Sequence, residues 1–294
     1  MKLRFWGVRG SIPTPGPATV RYGGNTTCLE VRTDEGDLIV LDGGTGIHPL
    51  ALSLLKEMPI EANVFITHTH WDHIHGLPFF VPIFVPGNRI TIHGPFDPVS
   101  GQGIEQVMAV QMQYSFFPVR EAELKAQLDY RSLAPGESVT VGNATITPVL
   151  LNHPVINYGY RIDSGGKSLF FTGDHEPPQN IYAPGEDGHA DYEALVAERQ
   201  ATIHEALRGI DVLIADCSYT TAEYASKRGW GHGTFASSIE LARAVGAQRL
   251  ICTHHEPTRS DDALEAAFAS ALAEAGLDDG LEVLLAKEGL LLEW

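Results

Sequence analysis

Val64-Phe65-Ile66-Thr67-His68-Thr69-His70-Trp71-Asp72-His73 is an apolar run that passes directly into three histidines and an aspartate. Nothing about packing requires such a concentration of donors. A strand ending this way delivers several nitrogen and oxygen atoms to one point, an arrangement suited to Zn²⁺ or a similar divalent ion. The alternative is a histidine-rich surface loop that binds metal loosely or not at all. The rest of the chain decides between the two.

Outward from that stretch, short apolar runs alternate with amphipathic helical segments, the pattern of an α/β layered fold. Leu29–Val31 and Leu38–Leu41 read as strands paired around Thr33-Asp34-Glu35-Gly36, and residues 45–57 as a helix ending before Pro59. Strands are expected over residues 63–67 and 89–93. Two hairpins follow, 139–141 with 144–149 through Gly142-Asn143, and 158–162 with 168–172. Residues 192–207 read as a helix, 212–215 as a strand, and 235–245 as a helix capped by Thr234 and stopped at Gly246. A strand at 249–253 precedes a last long helix, capped by Asp261 or Asp262, that ends near Gly276; strands at 281–285 and 289–294 close the chain. With no tandem repeat and no linker-like segment, one domain over residues 1–294 is expected. Residues 96–135 interrupt the rhythm with Tyr114, Phe116, Phe117 and a polar, helix-like run from Glu121 to Leu128. This insertion reads either as a lid over the site or as a satellite hydrophobic cluster.

Ligand-type residues recur where the strands end. His153 follows the strand finishing near Leu151, Asp174 follows Phe171-Thr172-Gly173, Asp216 follows Ala215, and His254-His255 follow Thr253. Layered α/β folds place their sites at the carboxyl ends of strands.

With these residues in order, the chain resembles the metallo-β-lactamase fold superfamily. Its H-x-H-x-D-H signature is met by His68, His70, Asp72 and His73, and the later His153, the Asp174 of Phe-Thr-Gly-Asp and the His254 of Cys-Thr-His match in sequence. Asp42-Gly43-Gly44-Thr45-Gly46 also fits. The resemblance implies a four-layer αββα sandwich of two mixed β-sheets flanked by helices. It implies two divalent ions, Zn²⁺ first and Mn or Fe as alternatives. His68, His70 and His153 would hold one; Asp72, His73 and His254 the other; Asp174 would bridge them. A hydroxide between the ions, oriented by Asp72, would be the nucleophile. His255 stays open as an alternative to His254. His75 reads as a surface or supporting residue, and His48, His93, His189 and His204 take ordinary solvent or core roles.

Within the superfamily, Gly231-His232-Gly233-Thr234 resembles the His-x-Thr loop of the tRNA 3′-processing endonuclease branch and related phosphodiesterases. There the histidine assists the leaving group, which makes His232 the second catalytic candidate beside Asp72. Asp216 either pairs with His232 and fixes its tautomer or caps a helix. The basic, glycine-rich arm of the tRNA enzymes is missing from this sequence. A formal net charge of −17, which two ions bring only to roughly −13, argues against bulk nucleic acid. A small anionic substrate fits better: a cyclic nucleotide or cyclic ribose phosphate. The turn-rich stretches Arg9–Pro13 and Tyr22–Thr26 could line its pocket, and Arg9 and Arg259 are candidate phosphate contacts. A lactonase or thioester hydrolase of the same fold is the main alternative, with a tRNA endonuclease or a non-catalytic metal-binding module behind it. The oxygen-reducing diiron branch is disfavoured because His70 stands where that branch carries Glu.

Cys28, Cys217 and Cys252 form no C-x-x-C pair, so no disulfide framework is expected and a reducing cytoplasm is the default setting. No secretory signal is expected at Met1–Gly7, and no apolar run approaches the roughly 18 residues of a membrane helix. The resembling phosphodiesterases imply a homodimer, which nothing in the sequence itself demonstrates.

Overall fold

The computed structural model describes residues 1–278 and 280–294. The apolar runs form two seven-stranded mixed sheets. The first contains β1 (Lys2–Gly7), β2 (Cys28–Arg32), β3 (Leu38–Leu41), β4 (Glu61–Phe65), β5 (Arg89–Pro95), β6 (Gln127–Leu133) and the last strand, β14 (Leu291–Glu293), which pairs with β1. The second contains β7 (Val139–Val141), β8 (Ala144–Leu151), β9 (Asn157–Ser164), β10 (Lys167–Phe171), β11 (Val212–Asp216), β12 (Arg249–Thr253) and β13 (Glu282–Leu285). β3 to β6 run parallel in the first sheet, and β10 to β13 run parallel in the second. Both sheets finish in antiparallel pairings on the other side.

Alternation along the strands sets the layers. Ile39 and Leu41 of β3 meet Leu169 and Phe171 of β10 in a core between the sheets. Their neighbours Leu38 and Val40 face outward onto α1 (Ile47–Leu54), while Phe170, Leu213 and Ala215 face α4 (His189–Leu207) and α6 (Phe235–Val245), with α7 (Asp261–Ala275) beside them. Strands buried on both faces read as continuous apolar runs, which is why they stood out in the sequence. The result is the expected αββα sandwich. Among the described residues no helix is long and apolar enough to cross a membrane. All three cysteines are buried and free.

The sequence reading differs from the structure at several points. β1 was not anticipated, because its alternating Leu3 and Phe5 are separated by charged and aromatic residues. The polar run from Glu121 is a short turn of helix at Glu121–Glu123 and then strand β6, whose edge position leaves its polar side chains outside. Ser260, not Asp261 or Asp262, caps α7, its side chain accepting from Ala263 N–H. Within the insertion, α3 (Ile104–Gln111) packs Ile104 and Met108 into the outer core of the first sheet.

His93 on β5 is a core histidine, as expected. It stacks on Phe65 with ring centroids 4.3 Å apart and meets Asn63 Oδ1 at 3.0 Å. Burial, with Arg131 adding to it, pushes its pKa down to about 4. The folded value lies below that of the unfolded chain, about 6.5. The unfolded chain therefore takes up the proton first. Stability is fully present above that value and falls as pH drops toward 4, by up to about 3 kcal/mol. Urea titrations of the metal-free protein across this window should show a steeper loss for wild type than for His93→Gln. Equal slopes would show that the imidazole is not held neutral.

Candidate metal centre

The parallel strands bring their carboxyl ends to one edge of the sandwich, and the loops leaving them carry the candidate residues. β4 leads into His68 and His70, then the short helix α2 (Trp71–Ile74), which carries Asp72 and His73. β8 leads to His153, β10 to Asp174, β11 to Asp216, and β12 to His254.

These residues converge. Donor atoms of His68, His70, His153 and Asp174 lie within 4.8 Å of one another, and so do those of Asp72, His73, Asp174 and His254. Asp174 belongs to both groups. Its Oδ1 lies 3.1 Å from Nε2 of both His73 and His254, while Oδ2 lies 3.5 Å from His68 Nε2 and 3.9 Å from His153 Nε2. Asp72 Oδ2 lies 3.4 Å from His73 Nε2 and 3.2 Å from His254 Nε2.

The outer nitrogens are anchored. His73 Nδ1 meets Asp42 Oδ2 at 2.7 Å, and His68 Nδ1 meets Thr67 Oγ1 at 3.1 Å, whose hydroxyl donates to Asp42 at 2.9 Å. His153 Nδ1 donates to Gly231 O at 2.9 Å. His254 Nδ1 lies 2.9 Å from the hydroxyl of Ser218, which donates to Asp216 at 2.7 Å. With Nδ1–H spent outward, each of these imidazoles turns the Nε2 lone pair inward. Outer partners fix the tautomer of metal-binding histidines in this way.

Such a donor set fits two divalent ions. His68 Nε2, His73 Nε2 and Asp174 Oδ1 are buried without a hydrogen-bond partner among the described residues. Buried polar atoms left so are costly unless something satisfies them. Imidazole nitrogens and carboxylate oxygens without thiolate match Zn²⁺, Mn²⁺ or Fe²⁺. Burial alone would raise the Asp174 and Asp72 carboxyls. The imidazoles around them, His254 and His73 foremost for Asp174 and His73 then His254 for Asp72, hold both well below the usual carboxylate range.

His232 stands at the rim. Its Nδ1 meets Asp216 Oδ2 at 2.9 Å, its ring stacks on His254 at 4.9 Å, and Nε2 has no hydrogen bond among the described residues. Burial would lower its pKa, but Asp216 and then Asp174 raise it to about 9. Asp216 is thus the partner of His232 rather than a helix cap.

His255 turns away from the cluster: it is fully buried, its Nε2 bonds Ala286 O at 2.8 Å, and burial pushes it down to about 3. Of the pair, His254 is the one brought to the cluster. The arginines expected to meet phosphate do not face it. Arg9 is fully buried and committed to Gly23 O, Arg259 O and Asp261, and Arg259 to Ser218 O and Glu223. Both fasten loops instead. That fastening matters, because the N-terminal loop does reach the site: Ser11 N–H donates to Asp72 Oδ2 at 2.7 Å. Gly10 lies so close that a Cβ would sit 2.3 Å from the His254 ring. A cation without an ion pair among the described residues is found elsewhere. Lys227 Nζ lies 4.0 Å from the Trp230 ring centroid and 5.7 Å from that of Tyr219, which in turn packs edge-on against His232.

Beside the motif opens a cleft of about 610 Å³, lined by Trp71, Ile74 and Phe79 on one side and Val107, Val110 and Phe116 of the insertion on the other. Among the described residues no Asp, Glu, Lys or Arg lines it, and His75 does. Sequence reasoning missed the anchoring roles of Asp42, Thr67 and Ser218. Asp42 alone gave a signal, as the first residue of the glycine-rich turn after β3.

Fold and cluster together define a metal-binding hydrolase class built on the αββα sandwich. The family described as the Beta-lactamase superfamily domain matches residues 38–255. The chain belongs to that family and is a metallo-β-lactamase-fold hydrolase. Ribonuclease Z of Acaryochloris marina is 26% identical over 87% of this chain and 86% of its own length. Among solved structures, the metallo-β-lactamase fold protein YhfI from Bacillus subtilis superposes with a TM-score of 0.67 at 20% identity, covering 99% of both chains. A diphosphatase from the PhnP family gives 0.65 at 21% identity, covering 100% of this chain and 97% of its own.

Proposed function

We propose that this protein is a dinuclear zinc phosphodiesterase that cleaves a small phosphodiester, a cyclic nucleotide or cyclic ribose phosphate. His68, His70 and His153 would hold one ion, Asp72, His73 and His254 the other, with Asp174 between them. When bound, the ions supply Lewis acidity at a phosphoryl oxygen and acidify water toward neutrality. Asp72, steadied by Ser11 N–H, orients the attacking water. His232 holds a proton at Nε2 and gives it to the departing oxygen, while Asp216 at Nδ1 keeps the ring in place. Lys227, held over Trp230, offers an anionic substrate a positive charge in an otherwise acidic protein. The observation that carries this reading is the Asp216–His232 pair at the rim of the cluster, with Nε2 making no hydrogen bond among the described residues. The names of the relatives, a ribonuclease and a diphosphatase, support phosphoryl chemistry. Three buried cysteines without a disulfide support a reducing, cytoplasmic setting.

Turnover of bis(p-nitrophenyl) phosphate and of cyclic nucleotides should stop with chelator and return with Zn²⁺ or Mn²⁺. Elemental analysis of the same preparation should give two ions per chain. A metal-loaded protein that opens a lactone or thioester and leaves every phosphodiester intact would overturn the assignment.

A further inference from the structure

We infer that Glu176 is a positioning residue: it clamps the loop at residues 229–231 and through it sets both His153 and His232. This rests on the reading above that those two histidines serve the hydrolytic centre.

Glu176 is buried, 4% exposed, and forms no salt bridge among the described residues. Burying a carboxylate without a cation is costly unless hydrogen bonds replace the lost water. Here three donors do so. Gly229 N–H donates to Oε1 at 2.8 Å, Gly231 N–H donates to Oε2 at 2.7 Å, and the Tyr224 hydroxyl donates to Oε1. Tyr224 is itself held by Gln179. Both carboxylate oxygens are therefore committed to protein donors.

The backbone of Glu176 ties in a further loop. Its N–H donates to Asn152 O at 3.0 Å, and Asn152 Nδ2 donates back to its carbonyl at 3.0 Å. Glu176 thus joins the loop carrying Asp174, the loop carrying His153 and the loop carrying His232.

Consequences for the site follow from Gly231. Its carbonyl accepts from His153 Nδ1 at 2.9 Å, leaving His153 Nε2 to face His70 Nδ1 at 3.1 Å. Gly231 has φ of 89° and lies against the ring, so that a Cβ there would fall 2.3 Å from His153 Nδ1. A shift of this loop therefore shifts the ring. On its other side the next residue is His232. One carboxylate sets the height of the loop between the two histidines.

The test is Glu176→Gln, which keeps the shape but turns an amide –NH₂ toward one of the two glycine N–H donors. Metal affinity is read by competition with a chromophoric chelator, and the His153 tautomer by long-range proton–nitrogen NMR of the zinc-loaded protein. The expected result is that one of two metal equivalents weakens by about 10–100-fold, the range for loss of a residue supporting a ligand. The other equivalent keeps wild-type affinity, and His153 no longer shows a single Nδ1–H form. Glu176→Asp, retaining both acceptors, should recover part of the affinity. Turnover should fall in kcat with KM little changed. Both equivalents at wild-type affinity with an unchanged tautomer overturn the proposal. If the Gln protein fails to fold, Tyr224→Phe takes one donor from the same carboxylate and must weaken the same equivalent several-fold; wild-type affinity there overturns the proposal. Metal affinity and tautomer are read without substrate, so a protein that cleaves no phosphodiester still tests the clamp.

Discussion

Asp174→Ala should bind neither ion stoichiometrically, and hydrolysis should fall by at least ~10²–10³-fold, the scale on which loss of a charge-stabilising group acts. Among the described residues Asp174 alone belongs to both halves of the cluster: one carboxylate oxygen lies 3.1 Å from His73 and His254, the other 3.5 Å from His68. Without it, five imidazoles face one another and Asp72 is the one carboxylate left among the proposed ligands, on one side of the cluster. The fold should survive, because none of the three apolar clusters draws a residue from the loop that carries Asp174. Elemental analysis after gel filtration gives the stoichiometry. A thermal melt gives an independent reading, since an ion that binds only the folded state raises Tm by mass action. Zinc should raise the wild-type midpoint and leave that of the variant where it was. Two retained equivalents in the Ala protein would remove Asp174 from the centre.

What could be read from the sequence divides along a physical line. Strands β3 and β10 to β12 are buried along most of their length on both faces, and β4 runs into the apolar Val64-Phe65-Ile66, so each showed an apolar run with a ligand-type residue after it. From those ends the cluster could be listed before its geometry was known. Edge strands carry no such mark. β6 exposes its polar residues and went unread, only Gln127 and Leu128 falling in the helix-like run from Glu121; β1 alternates Leu3 and Phe5 with Arg4 and Trp6 and resembled nothing in particular. Loop fastening was equally hidden. Arg9 looked like a surface cation because no local pattern reveals that Asp261 and two carbonyls from the same distant segment enclose it. Between His254 and His255, only position directly after the strand pointed to His254. The choice is settled by Ala286 O, which takes the His255 ring, and by Ser218, which turns the His254 ring inward. Such contacts join residues 30 or more positions apart.

His232→Ala should lower kcat for a cyclic nucleotide by about 10²–10⁴-fold, the span of general acid–base catalysis, with both ions retained. The geometry separates His232 from the imidazoles that meet Asp174 Oδ1. Its nearest contact to Asp174 is Nδ1 at 3.8 Å, and that nitrogen is already engaged by Asp216 at 2.9 Å. Nε2 is the atom left for substrate. A proton donor matters most when the departing oxygen is a poor leaving group, so the loss should depend on the substrate. Cleavage of a ribose alkoxide should suffer most. Release of p-nitrophenolate, which leaves well without a proton, should suffer least. Asp216→Asn tests the same pair from its other end: the ring stays, its orientation loosens, and the loss should follow the same ranking at smaller size. The competing role is metal ligation, because Asp174, Asp216, His232 and His254 also lie within 4.8 Å of one another. In that case His232→Ala would shed an ion, and its rates would fall alike for every leaving group. Metal content and the ranking of leaving groups, measured on one preparation, decide between proton donor and ligand.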